Sequence, residues 1–271
     1  MFGSYPLSLA FLTVQGCEPL EHIRVGAQAG YDAVGLRLIA PHGLELKHPI
    51  VGDQPLIRAI KALGADLGIS FLDGEVFTLL PETDVKAWRP VLDTAAELNM
   101  PFMQITCEDQ DEARAADRLA QVALYAAERQ IAMTIEFMRW RSTNTIEAAA
   151  RLAQATGQAS VGILLDALHL SRSGGSPAKV AALPAGMVRY LQLCDATAHQ
   201  PETDAACIAE ARGGRLMPGE GALWLQELMS VLPSDIPISV ETPHAGDQTL
   251  SALEKAMRGK KATERFLARL A

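Results

Sequence analysis

The sequence predicts a single (β/α)8 barrel, and two observations lead to that prediction. Short apolar runs alternate with longer segments of helical period, which is the pattern of βα units around a parallel sheet. Eight such units fit into the 271 residues, and strands start about every 30 residues, close to the usual spacing in this barrel. The apolar runs are nearly continuous, as expected for strands that are covered on both faces.

The strands and helices follow one another along the whole chain. The predicted strands are residues 7–14, 33–38, 68–77, 101–106, 131–137, 161–167, 188–196 and 237–243. The predicted helices are residues 19–30, 83–98, 109–128, 145–155, 223–232 and 248–269. In the first helix Pro19 suits the first turn and Gly30 suits the C-terminal cap. No linker or low-complexity stretch interrupts the pattern, so residues 1–271 are expected to form one domain.

The longest segment without periodicity, residues 197–222, follows the seventh strand. A loop of this length in a compact domain is usually functional, and this one belongs to the catalytic end of a barrel. A doubly wound open sheet is the rival architecture. It is disfavoured because the segment TVQGCEP after the first strand is not the Gly-rich phosphate loop of that fold.

The composition excludes several classes of partner. The formal net charge is −8 at pH 7, and no cluster of Lys and Arg offers a surface for nucleic acid. The apolar N-terminus has no basic flank and is shorter than the ~20 residues that a membrane span needs. The four cysteines form no CxxC pair, so we expect reduced thiols and a cytoplasmic protein.

Polar residues at the C-terminal ends of barrel strands point into the mouth, where barrel enzymes have their active sites. These residues are Arg37, Asp73, Glu75, Gln104, Glu136, Asp166, Gln192, Asp195 and Glu241. Glu136, Asp166 and Glu241 each interrupt an apolar strand, so three carboxylates converge on one small volume. A divalent cation would allow all three to remain ionised. The alternative is that each carboxylate pairs with an Arg or caps a helix, which is less expected for three successive cases.

Five motifs in this chain resemble those of the xylose-isomerase-like barrels. They are TIEF on strand five, LLDALH on strand six, LQLCDA on strand seven, RLMPGEG beyond it and SVETP on strand eight. The family includes sugar-phosphate isomerases, ketose 3-epimerases, hydroxypyruvate isomerases, inosose dehydratases and some 3-dehydroshikimate dehydratases. The resemblance implies one divalent metal ion held by Glu136, Asp166, Gln192 and Glu241.

Gln192 departs from the commoner family pattern, in which strand seven supplies a His. The Gln form resembles the dehydroshikimate dehydratase branch. Because Gln ligates through its amide oxygen, all four ligand atoms would be oxygens, which favours Mn2+ or Mg2+, with Co2+ or Zn2+ as alternatives.

The resemblance also implies residues that contact substrate. His169, three residues after Asp166, would contact a substrate oxygen, and Arg215, before the PGEG turn, would reach the substrate. Arg212 is expected to be a solvated loop residue. Glu75 and Gln104 are further candidates for substrate binding. Arg37 either enters the mouth as an anion anchor or pairs with an acid such as Glu75.

Other histidines could indicate a multi-zinc site, as in the DNA-repair endonuclease branch of this superfamily. His42, His48 and His199 lie in irregular loops, and the chain is acidic, which argues against phosphodiester chemistry. His244 follows Glu241 closely enough that we expect it to line the mouth.

Three functions are compatible with these residues. The first is an isomerase or epimerase of a small sugar or sugar phosphate, working through an enediolate with Glu136 and Glu241 as the acid/base pair. The second is a dehydratase of a hydroxy-ketone, which Gln192 favours. The third is a non-catalytic sugar-binding barrel, which the intact set of ligands disfavours. In each case the partner is a small polyhydroxylated carbonyl compound, and the sequence leaves a homo-oligomer open.

Overall fold

Eight parallel strands pair in chain order, and the eighth pairs with the first, so that the sheet closes into a barrel. The computed structural model describes residues 5–270, and the ends of the predicted domain, residues 1–4 and 271, lie outside the described residues. The strands are β1 (Leu7–Leu9), β2 (Ala33–Arg37), β3 (Ser70–Leu79), β4 (Phe102–Cys107), β5 (Ala132–Glu136), β6 (Val161–Asp166), β7 (Val188–Leu193) and β8 (Ile238–Val240). The predicted (β/α)8 fold is confirmed.

Helices connect the strands on the outside of the barrel. The helices are α1 (Pro19–Ala29), α2 (Gln54–Leu67), α3 (Arg89–Glu97), α4 (Glu112–Ala127), α5 (Ile146–Ala155), α6 (Ala167–Arg172), α7 (Pro177–Ala181), α8 (Asp204–Gly213), α9 (Leu225–Ser230) and α10 (Ala252–Leu267). Short 3-10 helices occupy Phe11–Val14, Val85–Trp88 and Ala245–Asp247. Gly30 ends α1 in the left-handed conformation, at φ 82°, as its predicted cap role requires.

Several predicted strands are too long at their C-terminal ends. The chain leaves the sheet after Leu9, Leu193 and Val240, so residues 10–14, which include a short 3-10 helix, and residues 194–196 and 241–243 lie beyond the strands at the mouth. Most of these residues are buried against the segments that follow, and burial alone does not distinguish a strand end from a packed turn.

Two of the helices that the sequence analysis did not predict are α2 and α8. Asp53 caps α2 by accepting a hydrogen bond from the backbone N–H of Leu56 at 3.0 Å. Helix α8 lies within the segment 197–222 that was expected to have no regular structure. Only Cys207 and Ala211 of this helix are buried, so it has no continuous apolar stripe that would reveal it.

The barrel interior below the mouth contains a polar network around Asp73. The Gln104 side-chain amide donates a hydrogen bond to Asp73 at 2.6 Å, and the Tyr190 hydroxyl donates one at 2.7 Å. Asp73 was expected at the mouth, and that expectation is wrong. Strand β3 continues six residues further, to Leu79, so Asp73 lies in its middle and is buried inside the barrel.

Throughout residues 5–270, no helix combines the length and the apolar character that crossing a bilayer requires.

Candidate active site

A cavity of about 200 Å³ opens at the C-terminal mouth of the barrel. Its charged and polar lining includes Arg37, Glu75, Gln104, Glu136, Arg141, His169, Arg212, Arg215 and Glu241. Of the residues predicted to bind the metal or the substrate, all line this cavity except Asp166 and Gln192. Those two are also buried, each 1% exposed, and their ion pair and hydrogen bond to lining residues place them directly behind the cavity wall.

A larger polar cleft of about 460 Å³ lies beside this cavity, between the loops that follow β4 and β5. It contains none of the strand-end carboxylates and shares only Trp140 and Arg141 with the central cavity. The central cavity is the better candidate for chemistry, although it is smaller, because the buried ionisable groups converge there.

Glu136, Asp166 and His169 form a buried cluster whose potential ligand atoms all lie within 4.8 Å of one another. Glu136 ends β5 and Asp166 ends β6. Asp166 also caps α6, since its Oδ1 accepts a hydrogen bond from the backbone N–H of His169 at 2.9 Å. This cap fixes the D-x-x-H spacing in space and brings His169 Nε2 to 3.7 Å from Glu136 Oε1. The cluster can hold a divalent metal ion.

Gln192 and Glu241 adjoin this cluster. Gln192 is the register partner of Asp166 in the neighbouring strand. Its Nε2 donates a hydrogen bond to Glu241 Oε1 at 3.2 Å, which assigns the amide orientation and turns Oε1 the other way. The Gln192 Oε1 atom is buried and accepts no hydrogen bond from the residues that the structure describes. A buried oxygen without a donor beside three carboxylates fits a cation, so the residues present suit the implied metal.

Arg215 is buried between two of the carboxylates. It is 1% exposed; its Nη1 donates to Asp166 Oδ2 at 2.6 Å, and its Nη2 lies 2.8 Å from Glu241 Oε2. Its Nε donates to the carbonyl of Ala211 at 2.9 Å. Arg215 is therefore a buried residue of the site and not a solvated loop residue.

The PGEG turn after Arg215 is held by Asp195. The Asp195 carboxylate accepts hydrogen bonds from the backbone N–H groups of Gly219 at 3.1 Å and of Gly221 and Leu223 at 3.0 Å. A Cβ atom at Gly221 would clash with Asp195, which explains a glycine there. Asp195 is thus a loop anchor at the mouth and does not line the cavity.

The charges in the site are strongly coupled. Burial, together with repulsion from Glu241 and Asp166, raises the pKa of Glu136 well above its ordinary value. Burial also raises the pKa of Glu241, to about 8, in spite of the Arg215 contact. Burial alone would raise the pKa of Asp166 as well, but the Arg215 guanidinium lowers it below its ordinary value. Arg215 therefore compensates Asp166 more effectively than Glu241, and Glu136 has no arginine of its own.

His169 is electrically neutral at physiological pH. Burial lowers the pKa of its imidazole to about 4. The ring packs edge-on against Trp140, with 5.2 Å between centroids. A neutral imidazole can exchange hydrogen bonds with a hydroxyl group or donate a lone pair to a metal.

Arg37 pairs with Glu75, which decides between the two predicted roles. Its Nη2 donates to Glu75 Oε2 at 2.6 Å, and the guanidinium lies over the Phe11 ring at 4.4 Å. Both members of this pair remain in the cavity wall. Gln104 also lies in the wall, with one amide hydrogen committed to Asp73.

Two residues of the loop after β5, Trp140 and Arg141, line the cavity and were not predicted. The only sequence signal for them is their position shortly after the strand-end Glu136. His244 was expected to line the mouth, and that expectation is wrong, because its Nδ1 accepts the backbone N–H of Gly246 at 3.0 Å and the residue is absent from the cavity wall. Cys194 is buried with its pKa raised to about 12 by desolvation, so it is not a nucleophile.

Comparisons with known proteins agree with this geometry. The sequence profile of a family described as xylose isomerase-like TIM barrel matches residues 23–263. A curated relative, "3-dehydroshikimate dehydratase" of Pseudomonas aeruginosa, is 26% identical over 274 aligned positions, which cover 93% of this chain and 40% of the relative. The chain thus spans about two fifths of the length of that relative.

Solved structures share the fold at low identity. The IOLI protein with a bound zinc atom is 16% identical with a TM-score of 0.80, over 98% of this chain and 99% of that one. A fusion of a xylose isomerase-like TIM barrel with a 4-hydroxyphenylpyruvate dioxygenase is 20% identical with a TM-score of 0.80, over 99% of this chain and 44% of that one. D-allulose 3-epimerase from Methylomonas sp. is 16% identical with a TM-score of 0.72, over 98% and 97% of the two chains.

Proposed function

The chain belongs to the xylose isomerase-like TIM barrel family, and on that premise we propose that it is a divalent-metal-dependent dehydratase of a small hydroxy-ketone. It removes the proton next to the carbonyl and expels a β-hydroxyl group as water. The observation that carries the proposal is the convergence of Glu136, Asp166, Gln192 and Glu241 at one cavity, with the Gln192 amide oxygen buried and without a donor.

Glu136, Asp166, Gln192 and Glu241 would hold the metal, with His169 in reach of it. Held there, a divalent cation would supply Lewis acidity that polarises the substrate carbonyl and lowers the cost of removing the neighbouring proton. The oxygen donors favour Mn2+ or Mg2+. Zn2+ is an alternative, because a solved structure of the same fold contains a bound zinc atom.

Glu136 is the best candidate for the base. It faces the cavity, and no arginine pairs with it among the described residues, so its carboxylate is free to accept a proton from the substrate. When the proton moves to Glu136, the electron pair of the C–H bond forms the new double bond as the β C–O bond breaks. The protonated Glu136 can then give its proton to the departing hydroxide, so that water leaves and the base is regenerated.

Dehydration is preferred to isomerisation for two reasons. A relative that aligns with 93% of this chain is called a 3-dehydroshikimate dehydratase. The Gln at strand seven also resembles that branch. In addition, Glu241 is held by Arg215 and Gln192, which leaves it less free to act as a second base. An isomerase or epimerase of a small sugar is the second candidate, because Glu136 and Glu241 both line the cavity, from β5 and the end of β8.

Chelation should abolish turnover, and Mn2+ or Mg2+ should restore it. The test incubates the protein in D2O with 3-dehydroshikimate, inosose and a panel of ketoses, and follows deuterium uptake and products by NMR. Loss of water supports the dehydratase, and an isomerised sugar supports the second candidate. Full turnover after chelation would show that the metal interpretation is wrong. Absence of exchange with every metal and compound would favour the sugar-binding barrel.

Gln192→His should shift the metal preference towards Co2+ or Zn2+ and lower turnover with Mg2+ by at least about tenfold, because a nitrogen donor replaces an oxygen donor. Activity against a series of divalent ions measures the ranking. Gln104→His is the matched control, since it places the same imidazole where the amide donates to Asp73. An identical ranking in wild type and Gln192→His would remove Gln192 from the coordination shell.

A further inference from the structure

Two arginines in the cavity wall have no role in the chemistry described above. Arg141 lies in the loop after β5, and Arg212 lies in helix α8, within the long segment between β7 and β8. Both line the cavity that also contains Glu136 and His169. We call Arg141 and Arg212 the arginine pair.

Arg141 is only partly neutralised by its surroundings. Its Nη1 forms an ion pair with Glu108, and its side chain is 23% exposed. Its Nε is buried and donates to no acceptor among residues 5–270. A buried N–H group of a guanidinium without an acceptor is unfavourable, and such groups in folded proteins call for a partner.

Arg212 adds a second positive charge at the same place. Burial and the charge of Arg212 together lower the pKa of Arg141, so the two guanidinium groups act on each other. Holding two like charges together destabilises the protein unless something negative lies between or beside them.

Other arginines around this part of the mouth have acidic partners. Arg139 pairs with Asp204, Arg172 pairs with Glu210, and Arg215 pairs with Asp166 and Glu241. Within the described residues 5–270, Arg212 makes no ion pair and no side-chain hydrogen bond that meets normal geometry. Among these arginines, Arg212 is therefore the one without an acidic partner in the described residues. The sequence predicted only a solvated residue there.

The acids of the cavity cannot serve the arginine pair. Glu75 is bound by Arg37, Glu241 is bound by Arg215, and Glu136 faces the metal cluster. An anionic group on a ligand in the cavity can therefore complete the arginine pair without displacing one of these contacts. Guanidinium groups suit a carboxylate or a phosphate in particular, because their planar forks donate two parallel hydrogen bonds to such a group.

We propose that the arginine pair binds an oxyanion carried by the substrate, a carboxylate or a phosphate, at a point of attachment separate from the reacting carbonyl. This inference rests on the proposed function, which places the reacting carbonyl of the substrate at the metal cluster. The substrate would then be a hydroxy-ketone that carries an anionic group. That group would point towards the loop after β5 and helix α8. Trp140, which packs on His169, forms the wall beside the pair.

Binding tests the proposal separately from turnover. Isothermal titration on the metal-loaded protein compares two matched pairs of probes: shikimate with its neutral methyl ester, and D-ribulose 5-phosphate with D-ribulose. We expect the anionic member of at least one pair to bind at least about tenfold more tightly than its neutral partner, as charge-assisted hydrogen bonds would give. The pair that shows the preference distinguishes a carboxylate from a phosphate.

Arg141→Gln and Arg212→Gln should each remove most of this preference. Arg141→Lys keeps the charge and should retain part of it. Arg58→Gln removes the same charge from the exposed face of α2 and should leave the preference unchanged. Arg212 is itself exposed, so its replacement tests the proposal even if Arg141→Gln does not fold.

Equal binding of anionic and neutral probes by the wild type would overturn the proposal. A preference that survives in both Gln variants would overturn it too. Because these measurements need no turnover, a protein that binds anionic probes through the arginine pair but catalyses nothing would refute the proposed reaction and leave the subsite standing.

Discussion

Arg215→Met should lower the free energy of unfolding of the metal-free protein by about 3–5 kcal/mol. The guanidinium lies between Asp166 and Glu241, at 2.6 Å and 2.8 Å, and is 1% exposed. Methionine fills much of the same volume but removes the only cation that contacts the two carboxylates within the described residues. Asp166 is then left as a buried carboxylate without its cation, and Glu241 loses the contact that lowers its pKa, which is the costly way to break a buried ion pair.

Urea unfolding of the chelated protein, followed by circular dichroism, measures this loss. Arg212→Met is the matched control, because Arg212 is exposed and makes no ion pair within residues 5–270, so its replacement should change stability by no more than about 0.5 kcal/mol. Added Mn2+ should restore part of the stability of Arg215→Met, since a cation that binds only the folded state stabilises it. If Arg215→Met had the same urea midpoint of unfolding as the wild type, Arg215 would not pair with these carboxylates in solution.

The strand-end acids could be predicted from the sequence because each interrupts an apolar run. Glu136 and Asp166 end β5 and β6, each one residue before the predicted strand end, since a charged residue in a buried parallel strand is best tolerated where the strand meets the mouth. The same rule gave a wrong position for Asp73, because Asp73 lies well inside β3 and its charge is accommodated by partners within the barrel. The partners Gln104 and Tyr190, which make its burial tolerable, come from β4 and β7.

The contacts made by the loops could not be predicted in the same way. Arg215 reaches Asp166, 49 residues earlier, only because Asp195 folds the PGEG turn and α8 precedes it. Helix α8 could not be predicted because its apolar stripe is weak. The position of Arg212 in the cavity wall could not be predicted for the same reason. Helix α2 did carry a signal, Asp53 followed by Gln54 and Pro55, which is a capping residue before a proline in the first turn.

Glu136→Gln should lower kcat/KM by at least about 10³-fold, because a proton acceptor and a charged metal ligand disappear together. The same change should not lower the stability of the metal-free protein. Glu136 has no arginine partner, and its neighbours Glu241 and Asp166 repel its charge, so a neutral amide of the same shape removes repulsion without leaving an unpaired cation. Loss of activity without loss of stability is what distinguishes a carboxylate kept for chemistry from one kept for an ion pair.

Glu75→Gln provides the matched comparison, since Glu75 is also a buried carboxylate in the wall of the same cavity but is bound by Arg37 at 2.6 Å. Its replacement leaves Arg37 without its partner and should lower the urea midpoint of the metal-free protein, whereas Glu136→Gln should leave that midpoint unchanged or raise it. Initial rates with Mn2+, elemental analysis of bound metal and urea unfolding of both chelated variants measure the contrast. Retained turnover in Glu136→Gln would exclude Glu136 as the base. A loss of stability as large as that of Glu75→Gln would instead make Glu136 a structural residue, since removal of a repelled charge cannot destabilise the folded state in that way.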